Sequence, residues 1–157
     1  MGLTSGRTTG NDEWLTPPEI FEALQPFDLD VCQPIDPPWL IAPNGFNKLD
    51  NGLLQDWYGF VWCNPPYGGE THRWLYRMNE HNNGIAMIFA RTDTETFQDF
   101  AFSADAILFI KGRQSFYTVE GAKGKNSGAP SCLVAYGQEA VKRLENSGIK
   151  GKLVYLR

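Results

Sequence analysis

Cysteine and histidine are scarce in this 157-residue chain. Cys32, Cys63 and Cys132 are widely separated, odd in number and form no Cys-x-x-Cys pair. That excludes a disulfide framework and the usual zinc-ligand spacings. His72 and His81 are the only histidines and have no ligand cluster around them, so no metal is expected. Thiols in apolar settings such as Cys63 and Cys132 read as inert packing residues of a reduced, cytoplasmic chain. Long hydrophobic runs are also missing. None approaches the roughly 20 residues of a membrane span, and no signal peptide is visible, so no membrane partner is expected. Basic side chains are few in the first half: residues 1–70 hold two basic and ten acidic groups. Residues 71–157 hold twelve basic and eight acidic. The net charge of −4 argues against a nucleic-acid partner, whereas the basic second half suits phosphates and the acidic first half a cation.

With 42% hydrophobic and 20% charged residues, the composition is that of an ordinary globular protein. The length allows one domain with a real core. Residues 1–10 are rich in Gly, Ser and Thr and read as a flexible lead to a single domain over 11–157. Phe27-Asp28-Leu29-Asp30-Val31-Cys32 alternates as a first strand. Residues 33–51 hold four prolines and no full helix. Phe60–Cys63, Gly84–Ala90, Ala106–Ile110, Ser115–Val119, Ser131–Tyr136 and Lys152–Leu156 read as strands. Helical patterns cover Thr16–Leu24, Thr71–Asn82, Glu95–Phe102 and Glu139–Asn146. Trp74, Leu75 and Met78 share the core face of the second of these. Residues 121–128 read as a polar, flexible insertion. The alternation predicts an α/β sheet, mostly parallel with an antiparallel end.

Asn64-Pro65-Pro66-Tyr67 follows a buried strand and precedes the breaker Gly68-Gly69. It therefore lies at a strand's carboxyl end, where open α/β sheets bind ligands. The tetrapeptide suits alkylation of a planar exocyclic amine, whose lone pair is delocalised into its ring. Two acceptors on the two N–H bonds would favour a pyramidal nitrogen. Asn64 offers its side-chain carbonyl, and the backbone carbonyl of Asn64 or Pro65 offers the second. The prolines fix that carbonyl's direction, and Tyr67 offers a face on which an extruded base could stack. The same tetrapeptide also fits a stiff loop with a rim tyrosine.

Asn64-Pro65-Pro66-Tyr67 resembles the catalytic motif of S-adenosylmethionine-dependent amino-methyltransferases. Further stretches resemble the phage-type DNA N6-adenine methyltransferase family more narrowly. They are Asp12-Glu13-Trp14-Leu15-Thr16-Pro17-Pro18-Glu19, Leu29-Asp30-Val31, Asp50-Asn51-Gly52-Leu53, Asp56-Trp57, Val61 to Gly68, Ala90-Arg91-Thr92-Asp93-Thr94 and Gly112-Arg113. Ordered along residues 11–137, the series implies a compact, shortened, Rossmann-like class I methyltransferase sheet. It also implies S-adenosylmethionine as cofactor, adenine in DNA as acceptor with base flipping, and a phage or prophage origin in a bacterial cytoplasm.

The resemblance implies that Thr16 and Pro17 meet the cofactor's methionine part, although Thr16, Pro17 and Glu19 also make a capping box. It implies that Asp30 is the acidic residue of the cofactor strand and that Asp56 meets the cofactor's adenine. Asp50 fits either a turn or the ribose hydroxyls. The glycine-rich turn that usually follows such an Asp is missing, since Gln33 to Pro38 hold no glycine. Arg73, Arg91, Arg113, Lys123 and Lys125 are candidate DNA contacts, and the loop holding the two lysines fits an inert hairpin tip equally well. Two alternatives remain from the residues. One is a methyltransferase acting on another planar nitrogen (an RNA base, cytosine N4 or protein glutamine). The other is a non-catalytic nucleic-acid-binding module. The recognised DNA site and the oligomeric state are left open by the sequence.

Overall fold

The computed structural model describes residues 14–157. The expected flexible lead, with Asp12 and Glu13, lies outside the described residues. In chain order the strands are β1 (Leu29–Asp30), β2 (Asn44–Gly45), β3 (Val61–Cys63), β4 (Gly84–Phe89), β5 (Ala106–Ile110), β6 (Ser115–Tyr117), β7 (Lys123–Asn126), β8 (Ser131–Tyr136) and β9 (Gly151–Tyr155). The helices are α1 (Pro18–Leu24), α2 (Thr71–His81) and α3 (Gln138–Asn146). A 3-10 turn covers Gly52–Leu54 and a π-helical turn Phe97–Ala101.

Seven strands form one sheet in the order β2-β1-β3-β4-β8-β5-β9, and β6 pairs with β7 as a separate hairpin. The pairs β1–β2, β1–β3 and β3–β4 are parallel. β8 runs against β4 and β5, and β9 against β5. Five strands thus share a direction, with the reversed strands gathered at one side. This is a mixed α/β sheet, mostly parallel with an antiparallel end, compatible with a compact Rossmann-like methyltransferase fold.

Alternation along the strands sends side chains to two apolar layers. Trp62, Ile85, Met87, Leu133 and Ala135 join Ile20, Phe21 and Leu24 of α1 and Ala140, Val141 and Leu144 of α3 on one face. Val61, Cys63, Ala86, Ile88, Cys132 and Val134 meet Trp74, Leu75 and Met78 of α2 and Phe97 of the π-helical turn on the other. Trp74, Leu75 and Met78 are core, as their spacing predicted. Covering helices on both faces explain why β4 and β8 are buried at every residue.

Several boundaries differ from expectation. α1 begins at Pro18, and Thr16 does not cap it: Pro17 holds the cap position with ψ 131° and makes no side-chain cap bond. The cause is local, because a residue preceding proline is kept out of the α region. β1 is only two residues long. The crossovers β1–β2 and β2–β3 contain no α-helix, in keeping with the proline-rich segment. Residues 121–128 are not a plain loop, since Lys123–Asn126 pair with β6. Glu95–Phe102 winds as a π-helical turn over Phe97–Ala101 instead of a regular helix.

Candidate active site

β3 and β4 are parallel, so Asn64 and Arg91 leave the sheet at one edge. Asn64 is buried at 8% exposure. Its Nδ2 donates to Thr16 Oγ1 at 3.2 Å and to the Trp14 carbonyl at 3.5 Å. The Trp14 carbonyl can only accept, which fixes which end of the amide is nitrogen. Asn64 Oδ1 is buried and has no hydrogen-bond partner among the described residues. A buried acceptor without a donor costs about 1–3 kcal/mol, so a ligand N–H at this point would relieve a standing penalty.

The rest of the tetrapeptide is held by its neighbours. Pro65 is buried and Pro66 exposed. Thr71 Oγ1 donates to the Pro66 carbonyl at 2.8 Å and accepts from the Gly68 amide at 3.1 Å. Gly68 sits at φ 130°, a conformation that favours glycine. With the Pro66 carbonyl taken, the backbone carbonyls of Asn64 and Pro65 are the candidates for the second acceptor, neither with a backbone donor among the described residues. The half-buried Tyr67 donates its hydroxyl to the Phe89 carbonyl at 3.1 Å. Its ring centroid is 4.7 Å from that of Phe89, and the Arg91 guanidinium lies 5.3 Å from its centre. Burial pushes the Tyr67 phenol up to about 12, against a smaller opposing pull from Arg91.

Beside Asn64 and Pro66 opens a cavity of about 300 Å³, at the small end of ligand sites. Val31, Leu53 and Trp74 supply apolar wall, and Gln33, Asn51 and Glu70 supply polar groups. Gly52 forms part of its floor, where a Cβ would meet the Val31 carbonyl at 2.5 Å and the Trp74 ring at 3.1 Å. A smaller hollow adjoins it, lined by Thr16, Asp30, Trp39 and Trp62 among others. The Trp14 and Trp62 indole N–H groups are buried without acceptors among the described residues, and both residues line that hollow. Asp30 is 3% exposed, and its only donor among the described residues is the Cys32 amide at 3.2 Å. Burial raises its carboxyl to about 7, opposed weakly by that amide bond. The Cys32 thiol is pushed up by burial and by its hydrogen bond with Cys63, and stays protonated beside it.

The expected residues do not all converge. Asn64 and Pro66 line the larger cavity, and Thr16 and Asp30 the smaller. Pro17 lines neither and is packed at the start of α1. Asp50 is exposed and closes a turn by accepting from the Asn47 amide at 2.9 Å. Asp56 is exposed and also outside the cavities. Its neighbour Trp57 stacks on Trp74 and donates to the Gly52 carbonyl at 2.8 Å, bracing the cavity wall. Arg77 lies over Trp57 and donates to the carbonyls of Leu53 and Gln55, each at 2.7 Å. Arg73 is exposed and paired with Glu70 at 3.5 Å. Arg91 and Arg113 are exposed after β4 and β5, and Lys123 is exposed on β7. Lys125 also belongs to β7, and its side chain lies outside the described part.

Sequence reasoning missed Trp14, Gln33, Asn51, Glu70 and Thr71. Gln33 stands where the glycine-rich turn was missing, and Cys32, Gln33 and Pro34 line the cavity there. Trp14 and Asn51 carried a signal, as parts of the stretches ending in Thr16-Pro17-Pro18-Glu19 and Gly52-Leu53.

No match is found among curated proteins or among solved structures. A family model described as DNA N-6-adenine-methyltransferase (Dam) matches residues 4–147. The chain therefore belongs to the Dam family of DNA N-6-adenine methyltransferases.

Proposed function

We propose that this chain methylates the N6 amine of an adenine flipped out of DNA, using S-adenosylmethionine. The observation that carries the reading is Asn64 Oδ1, a buried acceptor whose own N–H groups are already engaged and whose oxygen has no partner among the described residues. An exocyclic amine brings two N–H donors, for Asn64 Oδ1 and for the backbone carbonyl of Asn64 or Pro65. Both acceptors are fixed before the substrate arrives, the preorganisation that lowers barriers most. The amine loses its extra proton to water after transfer, so no side chain need act as a base.

The cavity lining fits the cofactor. Trp74 and Leu53 offer a wall for a planar ring, and Asn51, Glu70 and Gln33 offer partners for hydroxyl and amino groups. The carboxyl of Asp30, in the adjoining hollow, favours a positive charge nearby when ionised. Bound S-adenosylmethionine supplies an electrophilic methyl group carried on a cationic sulfur. Tyr67, anchored by Phe89, supports stacking of the extruded base. Arg91 and Arg113 follow the carboxyl ends of β4 and β5 and, with the exposed Lys123 of β7, are the groups offered to phosphates.

The test is methyl transfer to adenine-containing duplex DNA, read by mass spectrometry of the digested nucleosides. N6-methyladenine is expected with the native protein, and Asn64→Ala should lower its formation about 10²–10³-fold with cofactor affinity retained. Methylation of cytosine or RNA in place of adenine would refute the assignment of the acceptor.

A further inference from the structure

Thr16 is the least expected member of the site. Its sequence context assigned it to a helix cap or a cofactor contact, yet its hydroxyl oxygen faces the Asn64 amide. At 1% exposure it is among the most buried polar residues described. We propose that Thr16 is a positioning residue that, with the Trp14 carbonyl, holds Asn64 with its oxygen toward the substrate amine. This rests on the function proposed above and deepens it.

The Asn64 amide has two orientations, and its neighbours suit only one. As found, the two Nδ2 hydrogens meet two oxygens, Thr16 Oγ1 and the Trp14 carbonyl. Rotating the amide by 180° would place Oδ1 against the Trp14 carbonyl, two acceptors facing each other. It would also turn an N–H pair toward the substrate's own N–H donors. The Trp14 carbonyl excludes the wrong orientation, but at 3.5 Å it is a long contact. The shorter bond to Thr16 therefore supplies most of the hold.

That hold is anchored from outside the sheet. Residue 15, between the two acceptors, forms an antiparallel bridge with Tyr117 of β6: the Leu15 amide donates to the Tyr117 carbonyl at 2.8 Å and the Tyr117 amide to the Leu15 carbonyl at 3.0 Å. Gly124 of β7 lies against the same strap, where a Cβ would come 3.0 Å from the Trp14 ring and 2.7 Å from the Phe116 carbonyl. The strap 14–16 is thereby a third strand on the β6–β7 hairpin at one point. Its placement over Asn64 depends on that hairpin.

Two measurements test the proposal. In ligand-free protein, the side-chain amide of Asn64 is observed by ¹⁵N NMR in native, Thr16→Ser and Thr16→Val chains. Serine should keep the resonance pair and its slow exchange with water, whereas valine should shift it and speed exchange at least 10-fold. In the second, Thr16→Val should lower kcat about 10- to 100-fold, the range of one lost hydrogen bond to a buried group. Cofactor Kd by calorimetry should change less than about threefold, and Thr16→Ser should restore most of kcat. Should Thr16→Val fail to fold, Thr16→Ala serves in both comparisons. An unmoved Asn64 resonance overturns the proposal whether or not the protein methylates adenine. So does loss of cofactor affinity in step with kcat, which would make Thr16 a cofactor contact. If the native chain transfers no methyl group to adenine while the Asn64 resonance responds to Thr16, the functional reading fails and the positioning role stands.

Discussion

Asp30→Asn should stabilise the protein above neutral pH while weakening its cofactor site. The carboxyl is buried at 3% exposure and has one donor among the described residues, the Cys32 amide. Its pKa rises from 3.8 to about 7 because burial penalises the charged form. The sign follows from proton linkage. Between pH 3.8 and about 7 the native state holds a proton that the unfolded chain has released, so stability falls as pH rises through that window. Above it the full penalty applies. Three units at about 1.36 kcal/mol each give a penalty of about 4 kcal/mol. Asparagine keeps an acceptor for the Cys32 amide and has no charge to bury. Urea unfolding at pH 5, 6, 7 and 8 should show the gain of Asp30→Asn growing with pH and levelling near pH 8. Parallel loss of stability in both chains between pH 5 and 8 would refute the reasoning. A cationic ligand favours the ionised carboxylate, so binding of S-adenosylmethionine to the native chain should tighten from pH 6 to 8. S-adenosylhomocysteine, with a neutral sulfur, should show no comparable trend, nor should the asparagine variant with either ligand.

Other substitutions separate the roles of neighbouring residues. Tyr67→Ala should weaken transfer to DNA by the roughly 1–3 kcal/mol of one stacking contact, read as kcat/KM, with cofactor Kd nearly unchanged; an unaltered rate argues against stacking. Arg77→Ala should destabilise the chain by about 2–4 kcal/mol, since two carbonyls lose charge-assisted bonds and Trp57 loses its cover. Thermal unfolding checks this, and DNA affinity should fall little, because Arg77 is turned into the 53–55 loop.

Chemistry concentrated in contiguous residues was legible before any coordinates. The strand–Asn-Pro-Pro-Tyr–Gly order needs only local rules: a β-prone apolar run, prolines that fix the backbone and a breaker that frees the chain. The core face of α2 follows from spacing alone. The roles of Thr16, Asp50 and Asp56 were not legible, because each depends on which distant groups face the side chain. Thr16 and Asn64 are 48 residues apart, and only packing of the 14–16 strap across the sheet edge brings hydroxyl to amide. Asp50 accepts from the Asn47 amide in a turn and Asp56 is exposed, placements that a local stretch of sequence does not set.

Sequence alone set Asn64-Pro65-Pro66-Tyr67 between an apolar strand and a glycine pair. That much is determined by sequence, since backbone restriction by proline and acceptor capacity of an amide are properties of the residues themselves. Tertiary structure decided which acceptors stay free. It engaged Asn64 Nδ2 with Trp14 and Thr16, tied the Pro66 carbonyl to Thr71 and buried Asp30. Hydrogen-bond partners across the sheet edge are set by packing, and packing is not written in any local stretch of sequence.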